Sequence, residues 1–309
     1  MNTIHFADIV PMAQSLHDVK KGMVINMYSA KNKKITFNTL IFILKVFVAI
    51  IMFSPIIWVF TGSFKNLTEF TTSSSFAPKN FTLENYQYIF VNSNYLIYLR
   101  NTVILMAGTT IGTLLSSALV AYPLARMDFP GKNVIFAIII GTMMIPNIAL
   151  IIPQYIMFGK IGWLDSLLPM IVPAFFAYPY NVFLFRQFFR SIPKELDEAA
   201  TIDGCSRIGI FTKVLVPLSK PTFVTIGILS CVFWWNELTQ PVFYTNSDTW
   251  RTLTIALMTT FMYTSGNAFV INWPSIMAAS TLMIVPPMLL YLFGSKFLVE
   301  GIKTSGLKG

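Results

Sequence analysis

Residues 191–221 hold the densest set of side chains with a definable chemical use. The run reads Ser191-Ile-Pro-Lys-Glu195-Leu-Asp-Glu198-Ala-Ala-Thr-Ile-Asp-Gly204, then Cys-Ser-Arg-Ile-Gly-Ile-Phe-Thr-Lys-Val-Leu-Val-Pro217-Leu-Ser-Lys-Pro221. Glu195, Asp197 and Glu198 fall early in a predicted short helix, where the helix dipole favours negative charge. Pro193 suits its first turn because the missing N–H would be unbonded there in any case. Ala199 and Ala200 are strong helix formers that keep the surface flat. Gly204 can take the left-handed conformation that ends a helix, and Pro217 and Pro221 close a second short segment. The spacing predicts helix, turn, helix: a compact docking element with carboxylate acceptors. The residue types alone also leave a plain interfacial helix joining two spans open.

Catalytic chemistry has no comparable carrier. The sequence contains no Gly-x-x-x-x-Gly-Lys-Ser/Thr phosphate loop and no Ser/His/Asp nucleophile set. His5 and His17 both stand near the amino terminus and read as solvated side chains. Cys205 and Cys231, without Cys/His pairs at ligand spacing, give neither a disulfide framework nor a zinc site and read as small, partly buried residues. The expectation is a chain that is no enzyme by itself and holds no cofactor and no metal.

The elements that must position residues 191–221 follow from hydropathy. Of 309 residues, 55% are hydrophobic and 11% charged, too little polar surface to cover a soluble globule. The net charge of +9 does not indicate nucleic-acid binding, since the basic residues lie in short segments between long apolar runs. A membrane span needs about 20 apolar residues at about 1.5 Å rise each. Six stretches qualify, at about 39–60, 102–122, 133–152, 169–189, 222–243 and 275–298. The first begins too deep in the chain for a secretory signal and is read as a retained span. Sixteen of the 22 basic residues lie before span one, between spans two and three, around the connection from span four to span five, or around the end of span six. The positive-inside bias therefore puts both termini and residues 191–221 in the cytoplasm, and residues 61–101 and 244–274 outside. Pro146, Pro153, Pro173, Pro179, Pro286 and Pro287 interrupt spans, and each is read as a packing kink or as part of a path. The same two readings stand for Asn181, Asn236, Glu237 and Gln240, polar groups at membrane depth or its edge.

The order of residues around Glu198 narrows this further. Glu198-Ala199-Ala200, three residues, Gly204, and Val214-Leu215-Val216-Pro217 resemble the signature of permease subunits of binding-protein-dependent ABC importers, and Asp203 is common in the sugar branch. From about residue 39 to 309 the chain is similar to the smaller, six-span subunit of maltose-type sugar importers. Ala121-Tyr-Pro-Leu-Ala-Arg126 with Gly131-Lys132, the run from Arg186 to Pro193, Trp235-Asn236-Glu237, Arg251-Thr-Leu253 and the tail from Gly301 to Gly309 support the likeness. Val216 stands where Leu is usual, and Pro123 interrupts a span end where the family commonly has another residue. The first 38 residues are longer than typical, and initiation at Met23 or Met27 is an expectation that mass spectrometry of the native amino terminus would check.

The resemblance implies an all-α integral membrane protein of the type I importer permease fold. Residues 1–38 form a cytoplasmic segment, 39–300 the six-helix domain with its coupling segment 191–221 and external loop 244–274, and 301–309 a cytoplasmic tail near the ATPase interface. Glu195, Glu198, Ala199, Ala200, Asp203, Gly204 and Pro217 would couple to the ATPase, while Asn181, Asn236, Glu237 and Gln240 are candidates for the translocation path. The implied partners are a second homologous permease, two ATPase subunits carrying Mg-ATP, an extracytoplasmic sugar-binding protein, a sugar of di- or oligosaccharide size, and the lipid bilayer, with no nucleic acid. The implied location is the bacterial cytoplasmic membrane, multi-pass. An importer of another solute carries the same signature. An ion-coupled secondary transporter would need repeated halves and midplane charges that are not seen, and a scaffold would have no use for kinked spans with a lever.

Overall fold

The computed structural model describes residues 37–259, 262–265 and 268–306. Most of the expected amino-terminal segment, with His5 and His17, and residues 307–309 of the tail lie outside the described residues. The described chain is helical apart from one antiparallel hairpin, β1 (Met262–Ser265) paired to β2 (Ala268–Ile271) with Met262 opposite Ile271.

Contacts divide the chain into two units after Trp58. The described part of the first is residues 37–58, most of helix α1, Phe37–Gly62, whose mean hydropathy of 2.7 is ample for a membrane span. The second unit is organised by α2, Tyr95–Arg126. Its 32 residues make a rod of about 48 Å, longer than the ~30 Å hydrocarbon core, so at least one end must project into the interface. It then carries α3 (Lys132–Thr142), α4 (Asn147–Lys160), α5 (Pro179–Ser191), α6 (Glu195–Ile202), α7 (Lys220–Asn236) and α8 (Trp273–Gly306).

Four described helical segments are long and apolar enough to cross a membrane: Phe37–Gly62, Tyr95–Arg126, Leu168–Ser191 and Trp273–Phe297. Two bent pairs raise the number to six if each is one span. The expected span at 133–152 is one of them, since α3 and α4 meet at 92°. Met143, Met144 and Ile145 tighten to i→i+3 hydrogen bonds on Ile140, Gly141 and Thr142. Pro146, lacking an N–H and disfavouring helix at Ile145, then opens α4. The expected span at 222–243 also stops short. It ends at Asn236, and a separate turn, Thr239–Tyr244, follows. Its other end meets the Arg207–Leu218 segment at 76°. By contrast Pro123 does not interrupt its helix, which continues to Arg126 with the Met127 amide donating to the Pro123 carbonyl.

The segment Leu168–Ser191 is broken within its length. After a 3₁₀ turn at Pro173–Phe176, Ala177 takes φ +71°, a conformation unfavourable for a residue with a Cβ. Adjacent serines on α2 hold the break. Ser116 Oγ donates to the Ala174 carbonyl (3.0 Å) and accepts from the Ala177 amide (3.0 Å), and Ser117 Oγ accepts from the Tyr178 amide (2.9 Å). Polar backbone freed at membrane depth is thereby satisfied from the neighbouring helix. Close approach is possible because Gly108 and Gly112 lie on the same face of α2, against Ile171 and Phe175.

The core spreads along α2. One cluster joins Ala118, Ala121 and Leu124 to Phe185 and Phe189 of α5 and to Phe211, Leu215 and Ile226. A second gathers Tyr95, Tyr98, Trp235, Leu253 and Ala278, and a third Leu105, Phe158, Met170 and Tyr244. Fully buried side chains such as Phe189 and Leu215 contribute ~1.5–3 kcal/mol each relative to exposure in water.

Candidate functional site

The segment after α5 folds as helix, turn, helix. Helix α6 covers Glu195–Ile202, so Pro193 stands just ahead of it rather than in its first turn. Its end is closed by a paired motif: the Gly204 amide donates to the Thr201 carbonyl (3.0 Å) and the Cys205 amide to the Ala200 carbonyl (2.9 Å). Gly204 makes this possible at φ +78°. Ser206 then caps Arg207–Ile210, its Oγ accepting from the Gly209 amide at 3.1 Å. Ahead of Pro217 the chain widens to a π turn over Phe211–Leu215, with the Val216 amide reaching the Phe211 carbonyl, which avoids a proline ring against the carbonyl four residues back.

Ala200 is buried, and Glu195, Glu198, Ala199, Asp203, Gly204 and Pro217 are exposed. Six of the seven expected coupling residues are therefore exposed. Around them Leu196, Ile202 and Ile208 also face outward, Ile202 at 87% exposure. Isolated exposed apolar residues mean little, but several beside one helix end mark a contact surface.

The returning limb is fixed to the spans. Tyr122 Oη of α2 donates to the Arg207 carbonyl at 2.9 Å, and the Phe211 ring lies 5.2 Å from Tyr122 and 6.3 Å from Phe189. Arg126, its side chain 3% exposed, stands 3.5 Å from the Asp197 carboxylate of α6. These contacts join α6 and the segment after it to α2 and α5.

A cavity of about 480 Å³ lies beside the break at Ala177. Asn181 and Gln240 line it, with Gln154, Ser230, Phe233 and Trp234. No Asp, Glu, Lys, Arg or His is among the lining residues. Tyr244 Oη donates to Gln154 Oε1 at 3.0 Å, holding that amide in place. Asn236 and Glu237 are not brought to this cavity. Asn236 is exposed and donates to the Val232 carbonyl of its own helix (2.8 Å), and Glu237 Oε1 accepts from the Gln240 amide (3.0 Å). Gln154 and Trp234 escaped sequence reasoning, although their place inside apolar runs was a usable signal.

The segment expected as an outside loop, 244–274, is more ordered than a loop. It contains a helix at Leu253–Thr259 and the β1–β2 hairpin, and Trp273 and Pro274 already belong to α8. Asn101, fully buried, donates to the Thr249 (2.8 Å) and Arg251 (2.9 Å) carbonyls, and Thr102 Oγ1 accepts from the Leu253 amide (2.9 Å). Asp165 binds the segment from the other side. Its Oδ1 accepts from the Asn246 (2.9 Å) and Ser247 (2.8 Å) amides and the Ser247 hydroxyl (3.0 Å). The Ser247 amide chiefly, then that of Asn246, outweighs partial desolvation and holds this carboxyl below the usual aspartate range. A depressed pKa means the clasp contributes fully above the unfolded value of about 3.9 and is lost as pH falls through the folded value. Hydrogen exchange at Asn246 and Ser247, corrected for intrinsic rates, is expected to stay protected from neutral pH to about 4 and to accelerate below it. In Asp165→Asn that pH dependence disappears.

The family model for the inner-membrane component of binding-protein-dependent transport systems matches residues 108–304. The chain belongs to that family. This permease is 33% identical over 267 residues to an arabinooligosaccharide transport permease, AraQ, of Halalkalibacterium halodurans, covering 85% of this chain and 94% of the relative. It is 31% identical over 267 residues to the trehalose/maltose transport permease MalG of Thermococcus litoralis, with the same coverage of 85% and 94%. Among solved structures, a bacterial ABC transporter that imports the acidic polysaccharide alginate matches with a TM-score of 0.75 at 23% identity, over 84% of this permease and 95% of that chain. That likeness shows the fold. The matched region of the family model includes α6 and the cavity, so both belong to a multi-pass membrane transport subunit.

Proposed function

We propose that this permease forms half of the translocation path of an ATP-driven carbohydrate importer, taking di- or oligosaccharides. One observation carries the solute class: a cavity at a broken span, lined by amides, hydroxyls and aromatic rings with no ionisable acid or base other than tyrosine. Such a lining offers hydrogen bonds and apolar faces to a neutral polyhydroxylated solute and nothing to stabilise an ionic one. The relatives named above, whose own substrates are sugars, support the same class.

The importer is completed by a second permease, two ATPase subunits holding Mg-ATP and an external sugar-binding protein, in the bacterial cytoplasmic membrane. Residues 39–300 form its six-span domain, each bent pair being one span, with residues 1–38 and 301–309 cytoplasmic. Glu195, Glu198, Ala199, Ala200, Asp203, Gly204 and Pro217 form the ATPase-coupling surface, and 244–274 faces the binding protein. Affinity purification of the complex from its native membrane, followed by ATPase assays with candidate sugar-loaded binding proteins, tests the reading. Recovery of an ATPase with sugar-stimulated hydrolysis is expected, and a chain that transports alone on an ion gradient would overturn it.

Orientation has its own test. Cys205 is part-exposed beside α6, while Cys231 lies within α7, its Sγ 3.6 Å from Thr110 Oγ1. In a Cys231→Ser background, a membrane-impermeant maleimide is expected to label Cys205 in inside-out vesicles and not in right-side-out ones. The reverse pattern would invert the topology.

A further inference from the structure

A second cavity, of about 400 Å³, opens where the end of α2, the start of α3 and the end of α5 meet. Its charge is one-sided. Arg126, Lys132, Arg186, Arg190 and Lys194 line it, and Asp128 is the only carboxylate among the lining residues. Asp128 is already engaged, 3.2 Å from Lys132 Nζ. Arg126 faces Asp197 of α6, whose Oδ1 is itself buried without a hydrogen bond, and the remaining charges of Arg186, Arg190 and Lys194 repel one another unless an anion joins them.

The buried member of the set is short of partners. The Arg126 side chain is 3% exposed, yet its Nε and Nη2 make no hydrogen bond, and its ion pair with Asp197 is long at 3.5 Å. A guanidinium carries five donors, and buried donors are almost always satisfied. Arg186 is held in place across the cavity, Nε donating to the Leu124 carbonyl (3.1 Å) and the guanidinium lying 3.7 Å over the Phe136 ring. Arg190 and Lys194 are exposed at the mouth. Fixed arginine forks inside and flexible cations at the rim suit a tetrahedral oxyanion.

We propose that this cavity binds a phosphate-bearing anion, gripped by Arg126 and Arg186 and drawn in by Arg190 and Lys194. The phosphate can come from the headgroup of an anionic phospholipid or from a free phosphate ester in water. The span ends around it put the cavity at headgroup depth, and with the cytoplasmic orientation proposed above a lipid of the inner leaflet is the nearer supply. A bound anion would share Arg126 with Asp197 of α6, so its occupancy would be felt at the lever.

The test uses the full-chain permease in mild detergent and native mass spectrometry with added phosphatidylglycerol or phosphatidylcholine. Wild type is expected to retain one phosphatidylglycerol at a concentration about tenfold or more below that needed by the Arg190→Ala/Lys194→Ala variant. Phosphatidylcholine uptake should not differ between them. Arg126→Gln, read in parallel, should lose the same preference, and the rim variant keeps the test valid if the buried substitution fails to fold. Retention unaffected by millimolar glycerol phosphate assigns the site to lipid, and displacement by glycerol phosphate assigns it to the free ester. Equal phosphatidylglycerol retention and equal response to glycerol phosphate in wild type and all variants would overturn the proposal. So would an Arg190→Glu/Lys194→Glu variant that loses its ATPase partner while retaining phosphatidylglycerol as wild type does, since the cavity would then be a protein contact. Cys205 labelling reads orientation independently, so a failure of anion binding leaves the transport reading standing.

Discussion

Gly204→Val is expected to abolish substrate-stimulated ATP hydrolysis in the assembled importer. The reason is backbone conformation rather than crowding. At φ +78° nothing lies within 4 Å of where a Cβ would stand, so a larger side chain has room. A residue with a Cβ nevertheless loses ~1–2 kcal/mol in this conformation, and a β-branched one more. Relief would require the turn to rotate, breaking the bonds from Gly204 to Thr201 and from Cys205 to Ala200 that square off α6. The exposed Glu198, Asp203 and Gly204 would then meet the proposed ATPase subunit at a wrong angle. Gly204→Asn, which tolerates positive φ, is expected to keep most of the stimulation. The assay is sugar-stimulated ATPase in proteoliposomes with complex recovery checked by co-purification. Wild-type stimulation in the valine variant would refute the lever role.

Gly112→Leu is expected to cost the permease its folded state. A Cβ there would lie 2.8 Å from Phe175 Cδ2 and 3.2 Å from the Ala174 carbonyl carbon. Phe175 is half exposed and can swing aside. The backbone at Ala174 cannot, because Ser116 and Ser117 pin it through Ala177 and Tyr178. Overpacking costs ~1–3 kcal/mol, and each hydrogen bond strained at membrane depth adds ~1 kcal/mol. Gly112→Ala should lower the melting temperature of the detergent-solubilised protein modestly, and Gly112→Leu should remove the monodisperse peak in size exclusion. An unchanged melting temperature in the leucine variant would show that α2 does not lie this close to the broken span.

These two glycines differ in how legible they were. Gly204 sits between an acidic helix start and a proline, so chain punctuation alone located the turn, and the helix–turn–helix form followed. Gly112 sits in an unbroken apolar run, where its neighbour 60 residues away is invisible. The same limit explains the spans. Hydropathy reports the free energy of leaving water, which is why apolar runs marked where helices lie. It is silent on backbone direction, so the bend at Met143–Ile145 and the positive φ of Ala177 were missed although Pro146, Pro173 and Pro179 were noted as interruptions. In the cavity, Asn181 and Gln240 were found because lone amides in apolar runs stand out. Asn236 and Glu237 stood out equally, but local hydrogen bonds to Val232 and Gln240 absorb them.

Helix α5 begins at the amide-lined cavity, with Tyr180 and Asn181 in its lining, and ends at the connection into α6. Its 13 residues span about 20 Å as a single stiff rod. Two sites joined through one stiff element obey thermodynamic reciprocity: if nucleotide on the proposed ATPase subunits changes the affinity of the cavity, solute in the cavity must change the affinity for nucleotide by the same factor. A substitution at Asn181 that strengthens solute binding in one state more than in the other would then bias the ATPase subunits whenever solute is bound, with no change to any residue they touch.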